Sequence, residues 1–130
     1  MPSETFSTYY GVLRRAHELR RPDVYLEIGV HEGHSLAFVQ PGTRTTGVDP
    51  VPKVDDPPAD TTIVAATSDD FFARSDVADV LGGPLDLAFV DGLHLHEQTL
   101  RDVANVERHA RPDGVILVHD CLPIDAVTSA

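Results

Sequence analysis

The chain has 130 residues, with 21 acidic against 10 basic side chains and a formal net charge of −11. That balance excludes the basic footprint of a nucleic-acid binder and disfavours an anionic membrane surface as partner. Its 42% hydrophobic and 24% charged residues are too apolar for a disordered chain and fit one packed domain, and a single cysteine, Cys121, excludes an internal disulfide framework.

In chain order, Phe6, Tyr9, Tyr10, Leu13, Ala16 and Leu19 recur at helical spacing. Arg20 and Arg21 suit the negative end of that helix, and Pro22 stops it. Val24 to Gly29 reads as a first strand, His34 to Val39 as a short helix closed by Pro41-Gly42, and Thr45 to Val48 as a second strand. Pro50 to Asp60, with four prolines, is surface connection. Thr62 to Ala66 is the third strand. Ser68 is placed to cap a helix running to Leu81, with Asp69 and Asp70 in its first turn. Gly82-Gly83-Pro84 is a turn, Leu85 to Val90 the fourth strand, and Leu100, Val103, Val106 and Ala110 mark another helix. Arg111 to Gly114 reads as a turn before the fifth strand, Val115 to Val118. Strands alternate with helices, and the last two strands are nearly continuous apolar runs. That is the pattern of a parallel sheet covered on both faces.

Open α/β sheets bind ligands outside the carboxyl ends of their strands. Here each strand delivers an acid to that edge: Glu27, Asp49, Asp69, Asp91 and Asp120. Such an edge, with only Lys53 nearby, repels the phosphates of a dinucleotide or nucleoside triphosphate. It suits S-adenosylmethionine, whose ribose diol, exocyclic amine and ammonium donate hydrogen bonds and whose ammonium and sulfonium are positive. Gly29 and Gly33 form G-x-x-x-G, not the G-x-G-x-x-G of dinucleotide folds, and would let backbone approach the ligand. The other reading of these glycines is that they are ordinary turn residues.

Glu27-Ile28-Gly29-Val30-His31-Glu32-Gly33-His34-Ser35 resembles the first motif of class I S-adenosylmethionine-dependent methyltransferases. Phe89-Val90-Asp91-Gly92-Leu93-His94 and Val118-His119-Asp120 resemble the later motifs of a small-molecule O-methyltransferase subgroup. The resemblance covers about residues 20 to 123. It implies an α/β, Rossmann-like doubly wound parallel sheet of strand order 3-2-1-4-5, ending before the family's sixth and seventh strands. Residues 1–130 are then one S-adenosylmethionine-binding domain, truncated at its C-terminus. It also implies a cofactor set of Glu27, Gly29, Gly33, Ser35, Asp49, Ser68 and Asp69, with Asp49 on the ribose hydroxyls and Ser68-Asp69 on the adenine side.

In metal-dependent relatives, oxygen ligands at the positions of Asp91, His119 and Asp120 hold Mg²⁺. A divalent metal, Mg or Mn, is therefore an optional cofactor here, although an imidazole at His119 suits Zn, Fe, Ni or Cu better. The alternative is that Asp91 and Asp120 only cap helices and shape turns. Five of the seven histidines, His31, His34, His94, His96 and His119, fall at the ligand edge, whereas His17 and His109 read as solvated helix residues. A near-neutral pKa makes histidine a good acceptor for a hydroxyl proton. His94 is the first choice as general base, grouped with Asp91 as the catalytic pair; His96 and His119 stand behind it. Cys121 beside Asp120 reads as structural, since neighbouring negative charge raises a thiol pKa.

The expected activity is methyl transfer from S-adenosylmethionine to a small-molecule hydroxyl. Two alternatives stay open: a non-catalytic cofactor-binding or assembly domain, and a nicotinamide-dependent oxidoreductase. No apolar run approaches the roughly 20 residues that cross a bilayer, and residues 1–5 lack the features of a signal peptide. A cytoplasmic location follows as expectation, with a small-molecule acceptor, no nucleic acid, no membrane and a possible homodimer as the partner list.

Overall fold

The structure, a computed structural model, describes residues 3–91 and 96–119, with side chains from Tyr10 onward. Five strands form one parallel sheet: β1 (Val24–Ile28), β2 (Arg44–Asp49), β3 (Thr61–Ala65), β4 (Leu85–Val90) and β5 (Ala110–Val118). Their order is β3-β2-β1-β4-β5, as the sequence predicts. β1 is central and every one of its residues is buried. Its alternating side chains feed two cores. Val24, Leu26 and Ile28 pack with Val48, Phe71, Leu81 and Val106 on one face, and Tyr25 packs with Leu13, Leu36, Leu87 and Phe89 on the other. Each such fully buried side chain contributes roughly 1.5–3 kcal/mol. Helix α1 (Ser3–Arg20) and a 3₁₀ turn (His34–Phe38) accompany the Tyr25 face; α2 (Ser68–Phe72), α3 (Val77–Leu81) and α4 (His96–His109) accompany the other. Among the described residues no helix is long and apolar enough to cross a membrane.

Several expectations are corrected. His17 is not solvated: it is fully buried and packs edge-on against the Tyr25 ring at 4.4 Å. Residues four apart share a helix face, so the buried stripe of α1 is Leu13 and His17, while Leu19, six residues from Leu13, points away and is exposed. His109 is half-buried and stacks on Phe72. The helix from Ser68 to Leu81 is two short ones, α2 and α3, separated by a connection in which Arg74 pairs with Asp76 through two hydrogen bonds of 2.8 and 2.9 Å.

The cap of α2 is Thr67, whose hydroxyl accepts from the Asp70 amide at 3.1 Å, which frees the Ser68 hydroxyl for another partner. Arg111 to Gly114 does not precede β5 but lies within it. Leu85 pairs with Ala110 and Leu87 with Val115, so the intervening residues of β5 bulge outward. Finally, the segment after Gly33 is 3₁₀ rather than α-helical.

Candidate functional site

A cavity of about 760 Å³ opens at the carboxyl ends of β1 and β2 and extends to α2 and α4. Gly29 forms its floor at φ 86°, donating its N–H to the Val48 carbonyl at 2.7 Å. Only a residue without Cβ takes that left-handed conformation at no steric cost. Asp49 is the last residue of β2 and is buried, at 5% exposed. Its Oδ2 accepts the His31 N–H at 2.9 Å and its Oδ1 the Val51 N–H at 2.8 Å. A carboxylate has about four acceptor sites, so two remain on a group that lines the cavity. Lys53 also lines this region and ties its backbone N–H to the His31 carbonyl at 2.9 Å.

The far end is built from α2 and α4. Ser68 Oγ donates to Asp102 Oδ1 at 2.6 Å. Gln98 Nε2 lies 2.9 Å from Asp102 Oδ1, 3.1 Å from Ser68 Oγ and 3.2 Å from Asp69 Oδ1. Burial pushes the Asp102 carboxyl up, and hydrogen bonds from Ser68 and Gln98 pull it back. Sequence reading missed Gln98 and Asp102. The available signal was spacing: Asp102 lies one turn before the fully buried Val106, on the same helix face.

Of the residues expected at the cofactor, Gly29, Asp49, Ser68 and Asp69 line this one cavity. Glu27, Gly33 and Ser35 do not. Glu27 is fully buried, accepts from the Tyr25 hydroxyl at 2.6 Å and from the Ser35 hydroxyl, and is pushed up to about 7 by burial. Gly33 turns the chain at φ 85° with its α-carbon against Val54, whose methyls lie 3.1 Å from where a Cβ would stand.

On the β4–β5 side, Asp91 and His119 meet, with His119 Nδ1 3.1 Å from Asp91 Oδ1. The backbone continues the sheet beneath them: Asp91 N–H donates to the Ile28 carbonyl and His119 N–H to the Val90 carbonyl. His31 stands between the two regions. Its Nδ1 is 3.5 Å from Asp49 Oδ2, and its Nε2 is 3.2 Å from the Asp91 carbonyl oxygen. Half-buried Tyr10 of α1 belongs to this side. Burial, and then the negative charges of Asp91 and Glu27, raise its hydroxyl pKa. His34 is exposed and pairs with Glu32 at 3.4 Å, and His96 is exposed on α4. His94, Asp120 and Cys121 lie outside the described residues. Among the described residues no group of three or more His, Cys, Asp or Glu is placed to hold a metal ion.

Five parallel strands in this order, with an acid-lined cavity at their carboxyl ends, define a Rossmann-like ligand-binding domain. Residues 26–121 match the family described as "Methyltransferase domain", and the chain belongs to that family. Solved structures share the fold. The MycE methyltransferase from the mycinamycin biosynthetic pathway, in complex with Mg and SAH, superposes with a TM-score of 0.66 at 22% identity, over 86% of this chain and 31% of that one. The O-methyltransferase TomG from Streptomyces achromogenes, involved in tomaymycin synthesis and solved with SAM, gives 0.66 at 18% identity, over 92% and 58%. MycE with Mg, SAH and mycinamycin VI gives 0.64 at 24% identity, over 98% and 35%. The chain thus spans less than two thirds of each of these structures. No curated protein matched the sequence.

Proposed function

We propose that this domain binds S-adenosylmethionine and serves methyl transfer to the hydroxyl of a small molecule. The observation that carries this reading is Asp49. A nearly buried carboxylate, preorganised by two backbone amides, lines the cavity with acceptor sites left over. A vicinal diol is a fitting partner, since it brings two O–H donors to one carboxylate. The rest of the lining agrees: Glu32, Asp69 and Asp102 add acceptors, and Lys53 is its only lysine or arginine among the described residues. That donor set fits a cationic ligand without phosphate better than a dinucleotide.

When bound, the cofactor supplies an electrophilic methyl group on a positively charged sulfur. The chain's own residues do the rest. Gly29 lets the backbone approach the ligand, Asp49 fixes its ribose, and the α2–α4 end holds its base. The acceptor hydroxyl belongs on the Asp91–His119 side, across His31. There His94 takes the hydroxyl proton as general base, in company with Asp91. Much of the rate comes from holding the two reactants in line. Asp91 and His119, together with Asp120, are the residues that would hold a divalent metal, which would lower the hydroxyl pKa.

Calorimetry with S-adenosylhomocysteine and with NAD tests the reading. Binding of the first and not the second is expected. Binding of NAD alone would replace the methyltransferase reading with an oxidoreductase one.

A further inference from the structure

The α2–α4 end of the cavity has a defined hydrogen-bond polarity. Gln98 Oε1 accepts from Arg101 at 2.9 Å, which fixes the orientation of the amide. Its Nε2 therefore faces the acceptors Asp102 Oδ1, Ser68 Oγ and Asp69 Oδ1. The single hydroxyl hydrogen of Ser68 is directed at Asp102 Oδ1. Asp69 uses the same Oδ1 for Gln98 and for Arg101, whose Nε lies 3.5 Å away. These side chains thus have their hydrogens committed to one another. What they leave for a ligand, among the described residues, is acceptors: Oδ2 of Asp69, Oδ2 of Asp102 and the remaining lone pair of Ser68. Asp102 is the origin of this arrangement. It is 1% exposed, has no hydrogen to give as a carboxylate, and forces both Ser68 and Gln98 to act as donors toward it.

We propose that Asp102 is a positioning residue that turns Ser68 into an acceptor. In doing so it makes this end of the cavity selective for a ligand base carrying an amino group over one carrying a carbonyl at the same place. The inference rests on the cavity being the S-adenosylmethionine site and names the group that sets its base selectivity. A carbonyl oxygen brought against Ser68 Oγ, Asp69 Oδ2 and Asp102 Oδ2 meets lone pairs, whereas an amino group placed there finds acceptors. Asparagine at 102 reverses the relay. Its amide donates to Ser68 Oγ, and the Ser68 hydrogen turns into the cavity.

The test is calorimetry on the full chain with two probes, S-adenosylhomocysteine and its deaminated 6-oxo analogue, S-inosylhomocysteine. Wild type is expected to prefer the amino form at least about tenfold. Asp102→Asn and Ser68→Ala should each bring the ratio towards parity, mainly through lost affinity for the amino form. An Asp102 that only supported the fold would lower both affinities together and leave the ratio unchanged. Equal affinities in wild type overturn the inference, as does a wild-type ratio retained in Ser68→Ala, whether or not Asp102→Asn folds. Failure of wild type to bind S-adenosylhomocysteine at all would instead remove the cofactor reading beneath it.

Discussion

The backbone N–H of His31 donates to Oδ2 of Asp49 at 2.9 Å, joining the turn after β1 to the end of β2. His31 holds a left-handed conformation at φ 52°, unusual for a residue with a Cβ. Such a conformation costs of order 1–2 kcal/mol and persists where the surroundings fix it. The Asp49 carboxylate, bound at the same time to the Val51 amide, is what fixes it here. The residue proposed to hold the ribose is therefore also the residue that shapes the loop around it.

Asp49→Ala should accordingly do two things. It removes a charged acceptor from the ligand, a loss of about 1.5–3 kcal/mol or at least roughly tenfold in S-adenosylhomocysteine affinity. It also leaves two loop amides without their acceptor, so the melting temperature should fall. His31→Gly in the same background should recover part of the melting temperature and none of the affinity. Unchanged affinity in Asp49→Ala would remove Asp49 from the site.

Gly33 is held to glycine by the fold. A side chain there meets both the cost of φ 85° and the Val54 methyls at 3.1 Å. Gly33→Ala should lower stability by about 1–2 kcal/mol in denaturant unfolding. Adding Val54→Ala should relieve the contact and leave the backbone cost. If Gly33→Ala melts like wild type and loses ligand affinity, the glycine serves the ligand directly instead.

Burial moves two ionisable groups on the α1 face of the sheet in opposite directions. Among the described residues His17 has no hydrogen-bond partner at either ring nitrogen, and burial lowers its pKa from 6.5 to about 4. Glu27 is raised from 4.5 to about 7, chiefly by burial. Both are neutral when folded at pH 5 to 6 and both are charged when unfolded. His17 then makes the unfolded chain bind one more proton, and Glu27 makes the folded chain bind one more, so their effects on stability cancel there. Glu27→Gln should uncover the histidine: stability rises with pH between about 4 and 6.5, by about 1.4 kcal/mol per pH unit. His17→Phe should uncover the glutamate: stability falls by a similar slope between about 4.5 and 7. Urea unfolding across this range measures both, and identical slopes in the two variants would refute the linkage.

The position and parallel type of the strands were legible because a parallel sheet buried on both faces demands nearly continuous apolar runs, and Leu85 to Val90 is one, interrupted at Asp86 alone; their order came with the family resemblance. Asp49 was legible as the acid that ends the second strand, after Thr45 to Val48. The rest depended on contacts that no local pattern carries. Glu27 sits under the strand ends because Tyr25 and Ser35 close over it. Asp102 matters because α4 lies against α2 and brings it to Ser68. Apolar periodicity counts Leu13, Ala16 and Leu19 and passes over His17, the neighbour four residues after Leu13 that shares its buried face. The turn residues Arg111 to Gly114 kept their turn chemistry, but as a bulge within β5 rather than as its boundary.

The last prediction concerns the Asp91–His119 pair. The two side chains come from the ends of adjacent strands and already stand 3.1 Å apart. With Asp120, next in sequence, the proposed ligand set is two carboxylates and one imidazole. Mg²⁺ demands oxygen ligands and sheds its waters reluctantly, whereas Mn²⁺ and Zn²⁺ take an imidazole nitrogen more readily. The expected outcome is a rise in melting temperature that is larger with Mn²⁺ than with Mg²⁺. Both shifts should be small without an acceptor, because an open site that keeps several waters binds weakly. Asp91→Asn combined with Asp120→Asn should abolish them. His119→Glu should restore an all-oxygen set and reverse the preference towards Mg²⁺. A melting series with no metal dependence in wild type, even with S-adenosylhomocysteine present, would remove the metal and keep His94 as base in a metal-independent reaction.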